Sequence, residues 1–396
     1  MKDKEVKRLD IIIVCDSLRV GGIQRSLINL LNNIDYSKYN VTLFLFSSDN
    51  DYEDLDERVK LIYANKLLNL TNTLPQKVLK KSKFMWIIRK FIAFICKILG
   101  SNIVYKFMFL FEKSLDRYDT AISYTNNANT NSVYFGSNKF VLEKINAKRK
   151  ISWLHVDYEK MHLHNKNNIK EYEAFDTIVH VSEAVKETFL KFNPKMASKS
   201  HIMYNFINEE VIEDLSKQYV VERAAAFEIV SIGRLEENKS PKTYIEIAIE
   251  LSNKNIDFRW LIIGEGGQRD FIQKEILKHN LQEKVCLTGE LKNPYPYIKA
   301  ADLLVSASHS ESFGLAIAEA LCLNKPVIAR NYPALKELIQ PGVNGLIGYD
   351  DQELLNYVVN IIQNKRLYGE IVGNSGIPIA SDVIKNQFKK IMSAKY

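Results

Sequence analysis

The residues best suited to chemistry lie between Ser306 and Glu319: Ser306-Ala-Ser-His-Ser310-Glu311-Ser312-Phe313-Gly314-Leu315, then Ala316-Ile-Ala-Glu319. They follow the apolar run Leu303-Leu-Val-Ser306 and open the apolar-periodic segment Phe313 to Leu323, so a strand feeding a helix is expected. The first N–H groups of such a helix have no backbone acceptor and sit at the positive end of its dipole, so a diphosphate can rest on them. Glu311 and Glu319 flank that point, eight residues apart, on the order of 12 Å at the helical rise. A nucleotide-sugar has those proportions, with a hexose on one side of the pyrophosphate and a ribose on the other. Glu311 is then placed against sugar hydroxyls and Glu319 against the ribose diol, where one carboxylate accepts from both hydroxyls. Two incidental glutamates have the same spacing, and the pair alone leaves both readings open.

Other positions carry weaker signals. Gly21-Gly22, between a strand and a helix, lets backbone approach a ligand closely, or is only a tight turn. His155 ends the run Ile151-Ser-Trp-Leu154, and ligands of parallel sheets bind beyond the carboxyl ends of strands. The alternative is a satisfied core histidine. His309 is a second candidate, whereas His162 and His164 read as solvated loop residues with no acidic third ligand at metal spacing. Gly264-Glu265-Gly266 is by itself a glycine-rich turn. Asp54-Leu55-Asp56 has the form of a metal-binding D-x-D, but it lies in the acidic loop 49–57, where solvation explains it. Neither a catalytic metal nor a cofactor is expected. The polar run Tyr124 to Asn131 offers amides to a sugar acceptor, or is a polar turn.

The elements that must position these residues alternate along the chain. Short apolar runs at Asp10 to Cys15, Val41 to Phe46, Thr120 to Tyr124, Lys150 to Leu154 and Ile178 to Val181 read as buried parallel strands, with a helix from Gln24 to Leu31 after the first. After a polar stretch around Glu209 to Arg223 the pattern restarts at Glu228 to Gly233. It continues through Trp260 to Gly264, Val285 to Thr288, Leu303 to Ser306 and Pro326 to Ala329, with helices at Tyr244 to Leu251, Gln268 to Lys278 and Phe313 to Leu323. Strand and helix alternating twice over predict two doubly wound α/β domains, divided near Asn205 to Asn208.

The segments Ser306 to Leu315, Glu319-Ala-Leu-Cys-Leu-Asn-Lys-Pro326-Val-Ile and Gly342-Val-Asn-Gly345 together resemble the donor-binding half of family-four retaining glycosyltransferases, over most of Phe227 to Gly348. The resemblance implies the GT-B fold, two Rossmann-like doubly wound domains facing a central cleft. Residues 1–205 with a C-terminal helix at about 378–396 would form the acceptor side, and 206–377 the nucleotide-sugar side. It also implies that Arg234 and Lys239 are the cation pair on the donor diphosphate, although Ser240-Pro241 follows the lysine where the family usually has glycine. Ser312, Phe313, Gly314 and Leu315 would hold the diphosphate, Gly264, Glu265 and Gly266 would line the nucleotide, and Leu291 would lie near the base. Gly21 and Gly22 would face the diphosphate and donor sugar, with His155 beside that sugar and Glu311 orienting it. The implied activity is metal-independent retaining transfer of a hexose or N-acetylhexosamine, from a UDP-sugar, to a glycan or lipid-linked acceptor of cell-surface polysaccharide or teichoic acid type. A non-catalytic partner subunit of the same fold would show an incomplete site, and a sugar-nucleotide epimerase would need an acid and base instead of an acceptor.

Composition agrees with a globular chain. At 396 residues, 46% hydrophobic and 26% charged, it can bury two cores. The four cysteines are scattered without metal or disulfide spacing, which fits a reducing cytoplasm. No apolar run is long enough to span a bilayer, and the short run behind Met1-Lys2-Asp3-Lys4 reads as a strand, not a signal peptide. The net charge of +7 is concentrated between Lys77 and Lys106, and no nucleic-acid partner is expected. On a helical wheel of residues 83–99, Lys83, Lys90 and Lys97 align with Arg89 in the same half. Phe84, Ile87, Ile88, Phe91, Phe94, Ile95 and Ile98 fill the other arc. Such a helix either lies on anionic lipid, making the protein peripheral on the inner face of the membrane, or packs on the first domain's sheet.

Overall fold

The computed structural model describes residues 7–51, 55–127, 132–134 and 136–393; Asp54 of the D-x-D segment, residues 128–131 of the polar run and the terminal Met1 to Lys4 lie outside them. Two compact units emerge, Met1–Phe206 with Lys385–Tyr396, and Ile207–Ile384.

The first unit is built on a seven-stranded parallel sheet of β1 (Leu9–Cys15), β2 (Tyr39–Leu45), β3 (Lys60–Tyr63), β4 (Leu115–Ser123), β5 (Ile145–Leu154), β6 (Thr177–His180) and β7 (Ser200–Ile202), in the order 3-2-1-4-5-6-7. Ile11 to Val14 of β1 are wholly buried because helices cover both faces of the sheet, which is why the strand reads as an unbroken apolar run. On one face Phe140 stacks on Phe44 at 4.6 Å and meets Phe46 and Phe109 edge-on at 5.3 Å. Burying each such ring contributes about 2–3 kcal/mol. The C-terminal helix Ser381–Ser393 returns to this unit, where Phe388 meets Tyr39 at 5.8 Å and Arg149 donates to the Ile391 carbonyl.

The second unit carries a six-stranded parallel sheet of β8 (Phe227–Ile232), β9 (Phe258–Ile263), β10 (Val285–Gly289), β11 (Leu303–Ser306), β12 (Val327–Arg330) and β13 (Gly345–Gly348), in the order 10-9-8-11-12-13. Its core centres on Trp260, whose Nε1 donates to Ser231 Oγ at 3.0 Å while that hydroxyl donates to the Val305 carbonyl at 2.7 Å. Three neighbouring strands are thereby pinned through one buried hydroxyl. Strand order reverses between β1 and β4 and again between β8 and β11, and the loops after those strands border the crevice in which doubly wound sheets bind ligands.

Several boundaries differ from the sequence expectation. β4 starts at Leu115, five residues early, because its first half carries Asp116, Arg117 and Asp119 and a register shift around Arg117, which has φ 75°. β3, β7 and β13 are only three or four residues long, and β13 is bracketed by glycines, so none shows an apolar run. The helix expected from Phe313 begins at Leu315, and that expected from Gln24 begins at Gly22. Among the described residues no helix is long and apolar enough to cross a membrane.

Candidate active site

In the second unit the loops after β8 and β11 meet. His309 donates its backbone N–H to the Asn238 carbonyl at 3.0 Å, and Ala307 donates to Tyr244 Oη at 3.2 Å. Arg330 Nε donates to the Ala307 carbonyl at 3.0 Å, and its guanidinium pairs with Asp351. With backbone held from both sides, Lys239 and Glu311 are brought together as an ion pair whose side chains are about one-fifth to one-quarter exposed. Read from sequence, these residues had separate roles, one on phosphate and one on sugar. Here the lysine neutralises the carboxylate while leaving both within reach of solvent. Arg234 is exposed and, among the described residues, its guanidinium has no ion-pair or hydrogen-bond partner. A second cation is thus uncommitted on the same loop.

The helix Leu315–Cys322 is entered through Gly314 at φ 99°, with no side-chain cap on its first N–H groups. Positive φ favours glycine here, and a Cβ would also lie 2.6 Å from Tyr332 Oη. Tyr332 is buried and, among the described residues, that hydroxyl has no hydrogen-bond partner; burial, then the Glu311 charge, push its pKa well above the ordinary value. A neutral donor therefore stands beside the helix entrance. Phe313 is buried below it, and Ser312 is half-buried.

Because the helix starts only at Leu315, the separation of Glu311 and Glu319 is not a run of helical rises, and the estimate built on one is corrected here. Glu319 is on the inner side of the helix, buried, with Oε1 accepting from Tyr295 Oη at 3.0 Å. It does not lie on a solvated face. Tyr295, on the helix Tyr295–Ala300, was not singled out in the sequence, because a tyrosine gives no sign there of what its hydroxyl will touch.

The glycines of Gly264-Glu265-Gly266 are first of all a packing device. Leu235 donates to the Glu265 carbonyl at 2.8 Å, and Gln268 donates to the Leu235 carbonyl at 2.8 Å. A Cβ on Gly264 would fall 1.9 Å from the Gly233 carbonyl oxygen, and one on Gly266 2.4 Å from that of Leu235. Those residues let the two loops lie backbone against backbone, and Glu265 pairs with Arg269 at 2.8 Å. Leu291 is half-buried after β10.

The first unit offers different chemistry. Gly21 has φ 170°, an extended conformation open to any residue, and a Cβ there would meet only the flexible end of Gln24. Left-handed freedom is therefore not why glycine stands at Gly21, while Gly22 is the first residue of the helix Gly22–Leu31, whose N-terminus has no side-chain cap. His155 follows β5, is buried, and lies with its ring 4.6 Å from Tyr124. Desolvation pushes its pKa down to about 3, against a smaller opposing effect of a backbone hydrogen bond with Tyr124, so the imidazole is neutral. Its Nε2 has no hydrogen-bond partner among the described residues. Tyr124 Oη in turn shares a hydrogen bond with Ser26 Oγ at 2.9 Å. The amides of the polar run are partly used internally: Asn126 Oδ1 accepts from the His155 backbone at 3.0 Å, and Asn127 Nδ2 donates to Asn168 Oδ1 at 3.1 Å.

His309 is exposed. Arg89 departs from its expected place on the basic half of the helix Lys83–Leu99. It is buried and donates to the Thr71 and Thr73 carbonyls and to Tyr134 Oη at 2.8–3.3 Å, because its wheel position belongs to the core-facing stripe with Ile92 and Cys96.

Residues 212–375 match the family model described as glycosyl transferases group 1. The chain is 27% identical over 162 residues to alpha-monoglucosyldiacylglycerol synthase of Acholeplasma laidlawii, covering 40% of this chain and 41% of that protein. It is 28% identical over 189 residues to a Campylobacter jejuni enzyme, N-acetylgalactosamine-N,N'-diacetylbacillosaminyl-diphospho-undecaprenol 4-alpha-N-acetylgalactosaminyltransferase, covering 48% of each. The match therefore spans less than half the length of either relative. Among solved structures, Anabaena HepE in complex with UDP and glucose superposes with a TM-score of 0.69 at 17% identity, over 98% of this chain and 100% of that one. That likeness gives the fold: two Rossmann-like α/β domains of GT-B type.

Proposed function

From the premise that residues 212–375 are a group 1 glycosyl transferase domain of the family-four-like GT-B type, we propose that this chain is a retaining, metal-independent glycosyltransferase. It moves a hexose or N-acetylhexosamine from a UDP-sugar to a glycan or lipid-linked acceptor in the assembly of a cell-surface polysaccharide or teichoic acid-type polymer. The observation that carries the reading is the Lys239–Glu311 pair beside the uncapped entrance of Leu315–Cys322. Relatives named as a synthase of alpha-monoglucosyldiacylglycerol and as an N-acetylgalactosaminyltransferase of a diphospho-undecaprenol-linked glycan support the acceptor class.

In this reading the donor diphosphate rests on the N–H groups after Gly314, with Ser312, Phe313 and Leu315 around them. It draws Lys239 toward itself, and Arg234 supplies the second cation. Glu311, released from the lysine, accepts hydrogen bonds from the donor-sugar hydroxyls. Glu319 takes the ribose diol, oriented by Tyr295. Gly264 to Gly266 and Leu291 line the nucleoside, mainly through backbone. As the bond from anomeric carbon to phosphate oxygen breaks, the two cations offset charge on the leaving diphosphate and an oxocarbenium-like sugar forms. The acceptor oxygen attacks from the face the diphosphate leaves, and its proton passes to the diphosphate. Neutral His155 contributes a hydrogen bond to the sugar, and Gly21 and Gly22 allow close backbone approach. The first unit serves the acceptor and the second the donor. The enzyme works in the cytoplasm, at the inner face of the membrane, which the helix Lys83–Leu99 contacts.

A hydrolysis and transfer screen across UDP-, GDP- and ADP-sugars, repeated with Lys239→Ala and Glu319→Ala, tests this. Turnover with a UDP-sugar, retained anomeric configuration in the product and loss in both variants are expected. Turnover untouched by both substitutions would overturn the site.

A further inference from the structure

The helices Lys83–Leu99 and Ser101–Phe109 form a hairpin joined at Gly100, which has φ 81°. One side is anchored: Arg89, Ile92 and Cys96 on the first helix and Tyr105, Met108 and Phe109 on the second are buried in the first unit's core. The other side is apolar and uncovered. Phe84, Ile87, Phe91, Phe94 and Ile98 recur at helical spacing, and each is more than half exposed. Beyond the turn Ile103, Phe107, Leu110 and Phe111 continue the patch, also more than half exposed, with Phe107 and Phe111 edge to face at 5.3 Å. Elsewhere among the described residues the only exposed phenylalanine is Phe271. An apolar surface of this extent marks a binding face.

Its charge selects the occupant. From Pro75 to Phe109 the chain contains seven lysines and one arginine and no aspartate or glutamate. Lys77 pairs with Asp49 and Asp51 at 3.6 and 3.7 Å. Lys80, Lys81, Lys83, Lys90, Lys97 and Lys106 have no ion-pair partner among the described residues, and Lys90 Nζ lies 3.8 Å above the Trp86 ring. A second copy of this face would set lysines against lysines. Exposed aromatic side chains flanked by long-stemmed cations and a half-buried tryptophan instead match the acyl-headgroup boundary of an anionic bilayer, with the ammonium groups reaching the headgroups.

We propose that both helices of the hairpin, and not the first alone, form a lipid-docking surface that inserts its phenylalanines into an anionic monolayer, with Arg89 tying the first helix to the Thr71 and Thr73 carbonyls and to Tyr134. This extends the membrane contact in the function proposed above, and it is read by binding, separately from turnover. The test is flotation of the full-length protein with vesicles of phosphatidylcholine alone and of equal parts phosphatidylglycerol and phosphatidylcholine. The protein should float with the anionic vesicles only. The pairs Phe91→Glu with Phe94→Glu, and Phe107→Glu with Phe111→Glu, should each lower partitioning about tenfold or more, as should Lys83→Glu, Lys90→Glu and Lys97→Glu combined. Phe271→Glu should change nothing. All substituted side chains are exposed, so unchanged thermal transitions verify folding, and unchanged donor hydrolysis separates loss of docking from loss of the site. Equal flotation of the Phe107 and Phe111 variant would overturn the role of the second helix. Wild-type protein that ignores anionic vesicles, or that forms a dimer which the same substitutions dissociate, would overturn the whole proposal.

Discussion

The loops after β8 and β11 and those after β1, β4 and β5 occupy equivalent places in two sheets of like topology, yet their chemistry is opposite. In the second unit, Lys239, Glu311 and Arg234 are charged and reach solvent, and an uncapped helix N-terminus adds positive potential. In the first, Cys15, Tyr124 and His155 are buried and neutral, with desolvation the largest influence on all three; the helix Gly22–Leu31 is uncapped too, but the charges of the loop before it, Asp16 and Arg19, pair with each other at 3.8 Å. Topology supplies two places for a ligand and side chains decide which ligand each takes. A dianionic diphosphate laid on the first set would be stripped of water beside an apolar core where the cation of the loop after β1, Arg19, already pairs with Asp16 and donates to Ser17 Oγ, at a cost of several kcal/mol. Laid on the second, it meets two cations. Neutral hydroxyls fit the first set, where an unpartnered imidazole nitrogen and a tyrosine–serine pair offer hydrogen bonds without charge.

The largest test of that division is Lys239→Ala. Losing one preorganised cation from a charge-stabilising site costs roughly a hundredfold to a thousandfold in turnover, so kcat for donor hydrolysis should fall by about that factor. His155→Gln, which keeps a neutral hydrogen-bonding group, should lower hydrolysis less than about tenfold. Equal losses would erase the distinction between the charged and the neutral side.

Acid should separate the units next. His155 and His180 are buried in the first unit and both are held near pKa 3 by desolvation, below the ordinary 6.5. Below 6.5 the unfolded chain binds protons that the folded unit refuses. Their contribution is therefore complete above about pH 6.5 and is lost as pH falls toward 3, on the order of a few kcal/mol for each. The second unit's described histidines, His279 and His309, are partly or largely exposed. Trp86 and Trp153 lie in the first unit and Trp260 in the second, so fluorescence of Trp260→Phe, and of Trp86→Phe combined with Trp153→Phe, during acid titration should show the first unit unfolding at the higher pH. A single shared transition would count against it.

Two glycines sharpen the contrast on a smaller scale. Gly314→Ala must hold φ near 99° and place a methyl group 2.6 Å from Tyr332 Oη, costing about 1–3 kcal/mol. Tyr332→Phe in the same chain should restore part of that by removing the atom the methyl group meets. Gly21→Ala, extended and requiring only the end of Gln24, which donates to Asp16, to shift, should cost under about 1 kcal/mol. Urea unfolding of the three variants would reveal a reversed order if backbone strain is not what selects glycine at 314.

The sheets were legible because a strand buried on both faces must be apolar throughout, as Ile11 to Val14 and Leu303 to Val305 are. Short strands such as Gly345–Gly348 were not, since their pairing comes from neighbours and leaves no local pattern. Residues of the proposed donor site, Glu311 and Lys239 among them, are singled out in the sequence by type, but that they touch is a tertiary fact. Their loops are stitched together by His309, Asn238, Tyr244 and Arg330 through contacts between residues 23 to 71 positions apart that no spacing encodes. Arg89 shows the reverse failure: a wheel gives its direction, but not that the direction ends in a buried cluster of carbonyls able to hold a cation.

Tyr295→Phe carries the smallest effect and reaches furthest into the donor side. Tyr295 Oη donates to Glu319 Oε1 at 3.0 Å within the core, fixing the carboxylate that is proposed to accept from the ribose diol. Removing that hydroxyl deletes one hydrogen bond to a charged group, worth about 1.5–3 kcal/mol when buried. Part of this would return as the carboxylate turns toward solvent or ligand. Donor KM should therefore rise by about three- to tenfold with kcat little changed, because the ribose keeps the same contacts in the ground and transition states. A 2′-deoxy donor lacks half of what Glu319 is oriented for, so its KM should respond less to the same substitution. If the two donors lose equally, Tyr295 supports only the packing of its helix, and Glu319 would have to be reassigned from ligand contact to core hydrogen bonding.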